Sequence, residues 1–332
     1  MAIGKRQIGK TGLAVTELSL GTATVAGIFL EVPDDQARTT VTAGVEAGLT
    51  FVDTAPQYGL GRAEHLVGDA LRDRRQGVVL STKVGRLLRP YKGSEVNRDA
   101  WIKPFPFTIH YDYSYDGIMR SVEDSKQRLG LSEIDILLVH DIGPVTHGEK
   151  NAFYWRQLVD GGYRALLELK ATGECKAIGL GVNEWEVCMS ALELGDWDVF
   201  LLAGRYTMLE QTSLDPFLTT CLARNASVIA AAPFNGGALM GTGKWNYGAA
   251  PAHIIKRVGD LEAFCKARNV PIGAAALQFA LTHPAVVSVL TGPRSPAELQ
   301  STLAWWNVQI PKSFWTELKA AGLVDAHTPL PA

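Results

Sequence analysis

At 332 residues, with 47% hydrophobic and 20% charged content, the chain can bury a substantial core and has room for one large domain or two ordinary ones. Its formal net charge of −2 gives no electrostatic reason to bind nucleic acid or an acidic membrane. The N-terminus has no signal-peptide core, and the longest apolar runs, such as residues 227–234, fall far short of a membrane span, so a soluble, cytoplasmic protein is expected.

Residues 5–17 read as a small hairpin around a Gly9-Lys-Thr-Gly12 turn. From Leu18 a rhythm begins. Short apolar runs of buried-strand type occupy 18–21, 50–53, 78–83, 134–140, 177–181, 199–203, 227–232 and 286–290. Helical patterns lie between them, among them 35–48, 62–71, 115–129, 163–171, 214–225, 259–269 and 296–306. Eight strands alternating with helices imply an α/β fold, and the count favours a closed (β/α)₈ TIM barrel over an open doubly wound sheet. No linker or charge block divides residues 1–332, so a single domain is expected. The turn after strand one, Gly21-Thr-Ala-Thr-Val25, carries no GxGxxG, and no P-loop is present. The four cysteines (Cys175, Cys188, Cys221 and Cys265) lack metal-site spacing and read as buried thiols.

Long segments follow strands three, four and seven (residues 85–114, 141–160 and 235–257) and should lie on the C-terminal face, where barrel sites form. The first holds Tyr91, Trp101, Phe105, Phe107, Tyr111 and Tyr113, which suit packing and a substrate wall alike.

The chemistry-bearing residues stand at strand ends. Asp53 closes strand two, with Tyr58 five residues on; Lys83 closes strand three and His140 strand four. Each has a bland alternative: a turn aspartate, a packing tyrosine, a snorkelling lysine, a core histidine. Consecutive parallel strands bring their C-termini to one rim, so a shared site explains all four at once. A buried lysine needs a counter-charge, for which Asp53 is the nearest candidate. An ammonium about 4 Å from a phenol at an effective dielectric near 20 is worth roughly 4 kcal/mol, or up to ~3 pKa units, enough to bring Tyr58 towards neutrality. Neutral His140 would then orient a substrate oxygen.

The phrase Phe51-Val-Asp-Thr-Ala-Pro-Gln-Tyr58, continuing to Glu64, together with Lys83 and His140, resembles the aldo-keto reductase superfamily over nearly the whole chain. The resemblance implies a nicotinamide cofactor lying across the barrel mouth, with Tyr58 as proton donor or acceptor, Lys83 and Asp53 tuning it, and His140 orienting substrate. It also carries over cofactor positions: Gly21 and Thr22 near the nicotinamide ribose, and Asn183 for the carboxamide, although the family's preceding serine is absent. With Ala231 where an aromatic often stacks on nicotinamide, Tyr206 is the substitute. Pro233, Phe234, Asn235 and Gly236 fit the pyrophosphate cradle, and Gly292, Arg294 and Glu298 the adenosine-phosphate region. A carboxylate at Glu298 repels a 2′-phosphate and accepts from a free ribose hydroxyl, which favours NAD; Arg294 argues for NADP.

The stretches Gly181 to Trp185, Gly204 to Leu209 and Ala232 to Gly237 are similar to the branch of aldose 1-dehydrogenases and pyridoxal 4-dehydrogenases. That likeness implies oxidation of a cyclic hemiacetal to a lactone: an aldose such as L-fucose, L-galactose or D-arabinose, or alternatively pyridoxal. A broad NADPH carbonyl reductase and a cofactor-binding regulatory subunit are further readings within the family. No metal site, nucleic-acid partner or membrane partner is expected, and nothing in the sequence indicates an oligomeric state.

Overall fold

The computed structural model describes residues 3–93 and 100–331. Eight parallel strands form a closed barrel, labelled here β1 (Leu18–Gly21), β2 (Phe51–Asp53), β3 (Val79–Val84), β4 (Ile136–His140), β5 (Ala177–Val182), β6 (Val199–Ala203), β7 (Ser227–Ala231) and β8 (Val286–Thr291). Each pairs with its neighbours in sequence, and β8 closes the ring on β1. The apolar runs read from the sequence are these strands, to within two residues at any end.

Alternation along the strands separates two cores. Phe51, Val79, Ile136, Leu138, Val199, Leu201 and Ile229 pack together inside the ring. Val52, Leu80, Leu137 and Val139 belong to the larger layer shared with the surrounding helices. The N-terminal hairpin, Lys5–Gln7 with Ala14–Thr16, adds Ile8, Leu13 and Val15 to the inner cluster and so plugs the ring at its N-terminal end. The opposite end is left for polar side chains.

The long segments carry more structure than their sequence suggests. Arg86–Pro90 pairs antiparallel with Phe107–Tyr111, making a hairpin beyond β3; residues 94–99 of that segment lie outside those described. The segment after β4 is largely helical, with Pro144–His147 and Asn151–Gln157 running on into Tyr163–Ala171. The helix placed at 259–269 begins seven residues earlier, as Ala252–Ala267. Among the described residues no helix is long and apolar enough to cross a membrane.

Candidate active site

The parity that puts Phe51, Val79 and Leu138 inside the ring also points Asp53, Lys83 and His140 inward at its C-terminal rim. Asp53 and Lys83 are each 1% exposed. Lys83 Nζ donates to Asp53 Oδ1 at 2.5 Å and to the Thr54 carbonyl at 3.0 Å, and Ser81 Oγ donates to the same carboxylate oxygen at 2.5 Å. Gly181 on β5 makes room for this lysine: a Cβ there would stand 2.6 Å from Lys83 Cε. The charge is thus both buried and paired, as a lysine in that position requires.

Tyr58 follows β2 in a tight turn. The centre of its ring is 5.5 Å from Lys83 Nζ and 5.9 Å from the His140 ring, which it meets edge-on. Trp101, from the segment beyond β3, also packs against the ring at 5.8 Å and bridges to Ile28 in the loop after β1. The structure therefore gathers Asp53, Tyr58, Lys83 and His140 at one place, and at least one loop aromatic joins them.

The electrostatics depart from expectation in one respect. Burial, the Asp53 carboxylate and Asp141 hold the Tyr58 phenol well above its ordinary range rather than below it. Lys83 is engaged by Asp53 and the Thr54 carbonyl, so its charge is largely compensated before it reaches the ring. Burial pushes His140 well below the usual imidazole range, assisted by Arg86 and Lys83, so the ring is neutral.

Two residues at the rim were not anticipated. Arg86, three residues past Lys83, is almost fully buried and donates through Nη2 to Asp141 Oδ2 at 2.7 Å and through Nη1 to Gln57. Asp141 follows His140 directly and adopts a left-handed φ of 42°. The only sequence signal was a charged residue adjoining a strand tip at each place. Behind them, Tyr113 donates to the His140 carbonyl at 2.7 Å and lies 2.9 Å from His147 Nε2.

Most of the proposed cofactor positions stand on the rest of the rim. Asn183, Pro233 to Gly236 and Gly292 follow β5, β7 and β8, and Gly21 ends β1; these strands are contiguous through β6 around the ring and adjoin the arc of β2 to β4. Thr22 donates to the Asp53 carbonyl through its amide at 3.1 Å and its hydroxyl at 2.9 Å. Asn183 Nδ2 donates to Asp141 Oδ1 at 3.2 Å. Tyr206 does not belong there. It is 2% exposed, bonded to Thr282 Oγ1 at 2.7 Å and packed on Phe279 and His283, on the helical side of the wall. Asn235 also turns its side chain inward, to Thr207, Glu210 and the Gly204 carbonyl, so only its backbone faces the rim. Arg294 and Glu298 pair with each other, Nη2 to Oε1 at 2.9 Å.

These surroundings fit an extended dinucleotide. The turn after β7 uses Gly236 and Gly237 at φ 67° and 98°, a conformation that turns backbone amides outward at low steric cost. Thr24 Oγ1, which would lie 2.7 Å from a Cβ at Gly292, and Thr54 Oγ1 are buried without a hydrogen-bond partner. Among the described residues no group of acidic, histidine or cysteine side chains is arranged to hold a metal.

A model of the aldo/keto reductase family matches residues 17–322. Pyridoxal 4-dehydrogenase of Microbacterium luteolum is 45% identical, covering 97% of this chain and 98% of the relative. D-threo-aldose 1-dehydrogenase of a Pseudomonas species is 35% identical over 94% and 96%. Among solved structures, the glycerol dehydrogenase from Gluconobacter oxydans superposes with a TM-score of 0.74 at 21% identity, covering 100% of this chain and 98% of that one, which is a likeness of fold.

Proposed function

The chain belongs to the aldo/keto reductase family, a family of nicotinamide-dependent oxidoreductases, and from that membership we propose that it oxidises a cyclic hemiacetal to the lactone with NAD. Pyridoxal in its hemiacetal form is the first candidate substrate, giving 4-pyridoxolactone. The observation that carries this order is the full-length 45% identity to pyridoxal 4-dehydrogenase, against 35% to the aldose enzyme. An aldose such as L-fucose, L-galactose or D-arabinose, oxidised at C1, is the second reading.

In this reading the substrate hydroxyl lies between Tyr58 and His140. His140, neutral, donates a hydrogen bond to the oxygen and aims the carbon-bound hydrogen across the mouth. Tyr58 takes the hydroxyl proton, with Arg86 favouring the phenolate against burial, Asp53, Tyr247 and Asp141. NAD, when bound, supplies the hydride acceptor. Asn183 would hold its carboxamide, and the backbone from Pro233 to Gly236 its pyrophosphate. Trp101 excludes water where it packs against Tyr58. Glu298 favours NAD in this scheme because it neutralises Arg294, the cation nearest at hand for a 2′-phosphate.

The test is NADH formation with pyridoxal, L-fucose, L-galactose and D-arabinose, with the product identified by mass as two hydrogens lighter. Turnover of pyridoxal above the sugars supports the first reading and the reverse order the second. No turnover of any of them, with NADPH-dependent reduction of aromatic aldehydes instead, overturns both.

A further inference from the structure

Asp141 is at the crossing of three interactions. Its Oδ2 accepts from Arg86 Nη2 at 2.7 Å and stands 3.5 Å from His140 Nε2; its Oδ1 accepts from Asn183 Nδ2 at 3.2 Å. Its own amide donates to the Gly181 carbonyl at 3.0 Å, fixing the backbone to β5. The residue holds φ at 42°, a conformation that non-glycine residues rarely adopt and that surrounding contacts must maintain. Its side chain is 14% exposed and that of Arg86 2%, so the pair is withdrawn from bulk water.

We propose that Asp141 is a positioning residue of the reaction, tying the imidazole of His140 to the amide of Asn183 so that one carboxylate aligns substrate and cofactor together. The inference rests on the oxidoreductase reading of the rim, but on no particular substrate. A carboxylate facing Nε2 selects the tautomer with its proton on that nitrogen. His140 Nδ1 has no hydrogen-bond partner among the described residues, so nothing on the opposite side of the ring competes. At 3.5 Å the carboxylate does not hold that proton in a hydrogen bond, so the imidazole can give it, through Nε2, to an oxygen placed between it and Tyr58. Arg86 anchors the carboxylate through a guanidinium also bonded to Gln57, in the same turn as Tyr58. A shift of Asp141 would therefore move His140, Asn183 and the Tyr58 turn together.

The charges facing the phenol give the inference a readout that packing alone would not move. Asp53, Asp141 and Tyr247 raise the proton affinity of Tyr58 and Arg86 lowers it, with Lys83 and neutral His140 also adjoining the ring. Asp141→Asn keeps the side chain's size and removes its charge. Its alkaline pH limb for oxidation should move to lower pH, with kcat reduced about tenfold or more by misalignment and affinity for NAD weakened. Wild type and variant are compared on the substrate wild type turns over best, a hemiacetal with NAD or, failing that, an aldehyde with NADPH. Failure of the hemiacetal reading then shows in wild type, and failure of this inference only in the variant. A folded Asp141→Asn enzyme with wild-type kcat and an unmoved pH limb overturns the proposal. Should that variant not melt cooperatively, Arg86→Lys, which loosens the carboxylate's anchor but retains the charge, must lower kcat/KM and NAD affinity; unchanged values overturn it equally.

Discussion

Lys83 Nζ lies 2.5 Å from Asp53 Oδ1, with both side chains shielded from water at the tips of neighbouring strands. Such a pair adds little net stability when whole, because desolvation offsets attraction, but halving it leaves a bare charge in a place water cannot reach. Asp53→Asn should therefore destabilise the fold by roughly 3–5 kcal/mol, read as a lower urea midpoint. It should also lower activity, since Lys83 loses its fixed position beside Tyr58. A variant as stable as wild type would show that water or rearrangement reaches the ammonium.

Tyr58→Phe removes the hydroxyl but keeps the ring against Trp101 and His140. Loss of a positioned proton relay costs on the order of 10²–10⁴ in rate, and kcat should fall in that range. Affinity for NAD should stay near wild type, because the residues proposed to bind it are spread over four other strand ends. In wild type the phenol is held well above its ordinary range, and only its deprotonated form accepts a proton. Oxidation should thus rise with pH through the neutral range, while carbonyl reduction, which uses the protonated phenol, stays flat there. Steady-state rates in both directions from pH 6 to 10 check the sign.

Much of this rim was legible in the sequence for one physical reason. A strand buried on both faces is an almost unbroken apolar run, so Lys83 and His140 stand out at the ends of theirs. Tyr206 failed for the converse reason. Beyond β6 the chain leaves strand geometry, alternation no longer tells which side a residue faces, and Phe279 and His283 claim the ring from outside. Arg86 and Asp141 were missed because their partnership joins the hairpin beyond β3 to the turn after β4, 55 residues apart, which no local pattern records. The short helices after β4 escaped notice because they are too brief to be periodic. Their stability comes from packing, such as that of Tyr154 on His147 and of buried Leu158 in the core.

His147 supplies a pH test of stability. Burial, with Arg86 nearby, pushes it down to about 4 in the folded state, whereas an unfolded histidine titrates near 6.5. The folded protein then binds fewer protons than the unfolded one between those values. Stability from this site is complete above about pH 6.5 and is lost as pH falls towards 4, by about 3 kcal/mol in all. His140 shifts in the same direction and adds to the loss. Urea midpoints measured from pH 7 to pH 4 should fall accordingly, and His147→Gln should flatten the slope; an unchanged slope would mean the ring is already charged in the fold.

Gly181 should tolerate no side chain. The Cβ of an alanine would sit 2.6 Å from Lys83 Cε and 3.5 Å from Leu138 Cβ, and the lysine is held at its far end by Asp53 and Thr54. Overpacking of this kind costs about 1–3 kcal/mol. Because the strain falls on Lys83, Gly181→Ala should lower kcat more than it lowers the melting temperature, whereas Gly173→Ala, at a left-handed turn with open space around it, should cost stability without touching kcat.

In the proposed reading, cofactor choice turns on a pair at the entrance to the helix Pro296–Trp306. Arg294 Nη2 meets Glu298 Oε1 at 2.9 Å, and Glu298 Oε2 also accepts from the Arg294 amide at 2.9 Å. The side chains are 37% and 43% exposed, so the bond is weak enough to exchange for a ligand contact. Glu298→Gln removes the charge that opposes a 2′-phosphate and releases the guanidinium that would bind one. Charge-assisted bonds of an arginine to a phosphate are worth roughly 1.5–3 kcal/mol, so the NADP to NAD ratio of kcat/KM should rise about tenfold or more. Arg294→Ala made in the Glu298→Gln background should cancel that gain. If the single variant leaves the ratio where wild type has it, neither side chain reads the ribose phosphate, and the proposed basis for choosing NAD is wrong.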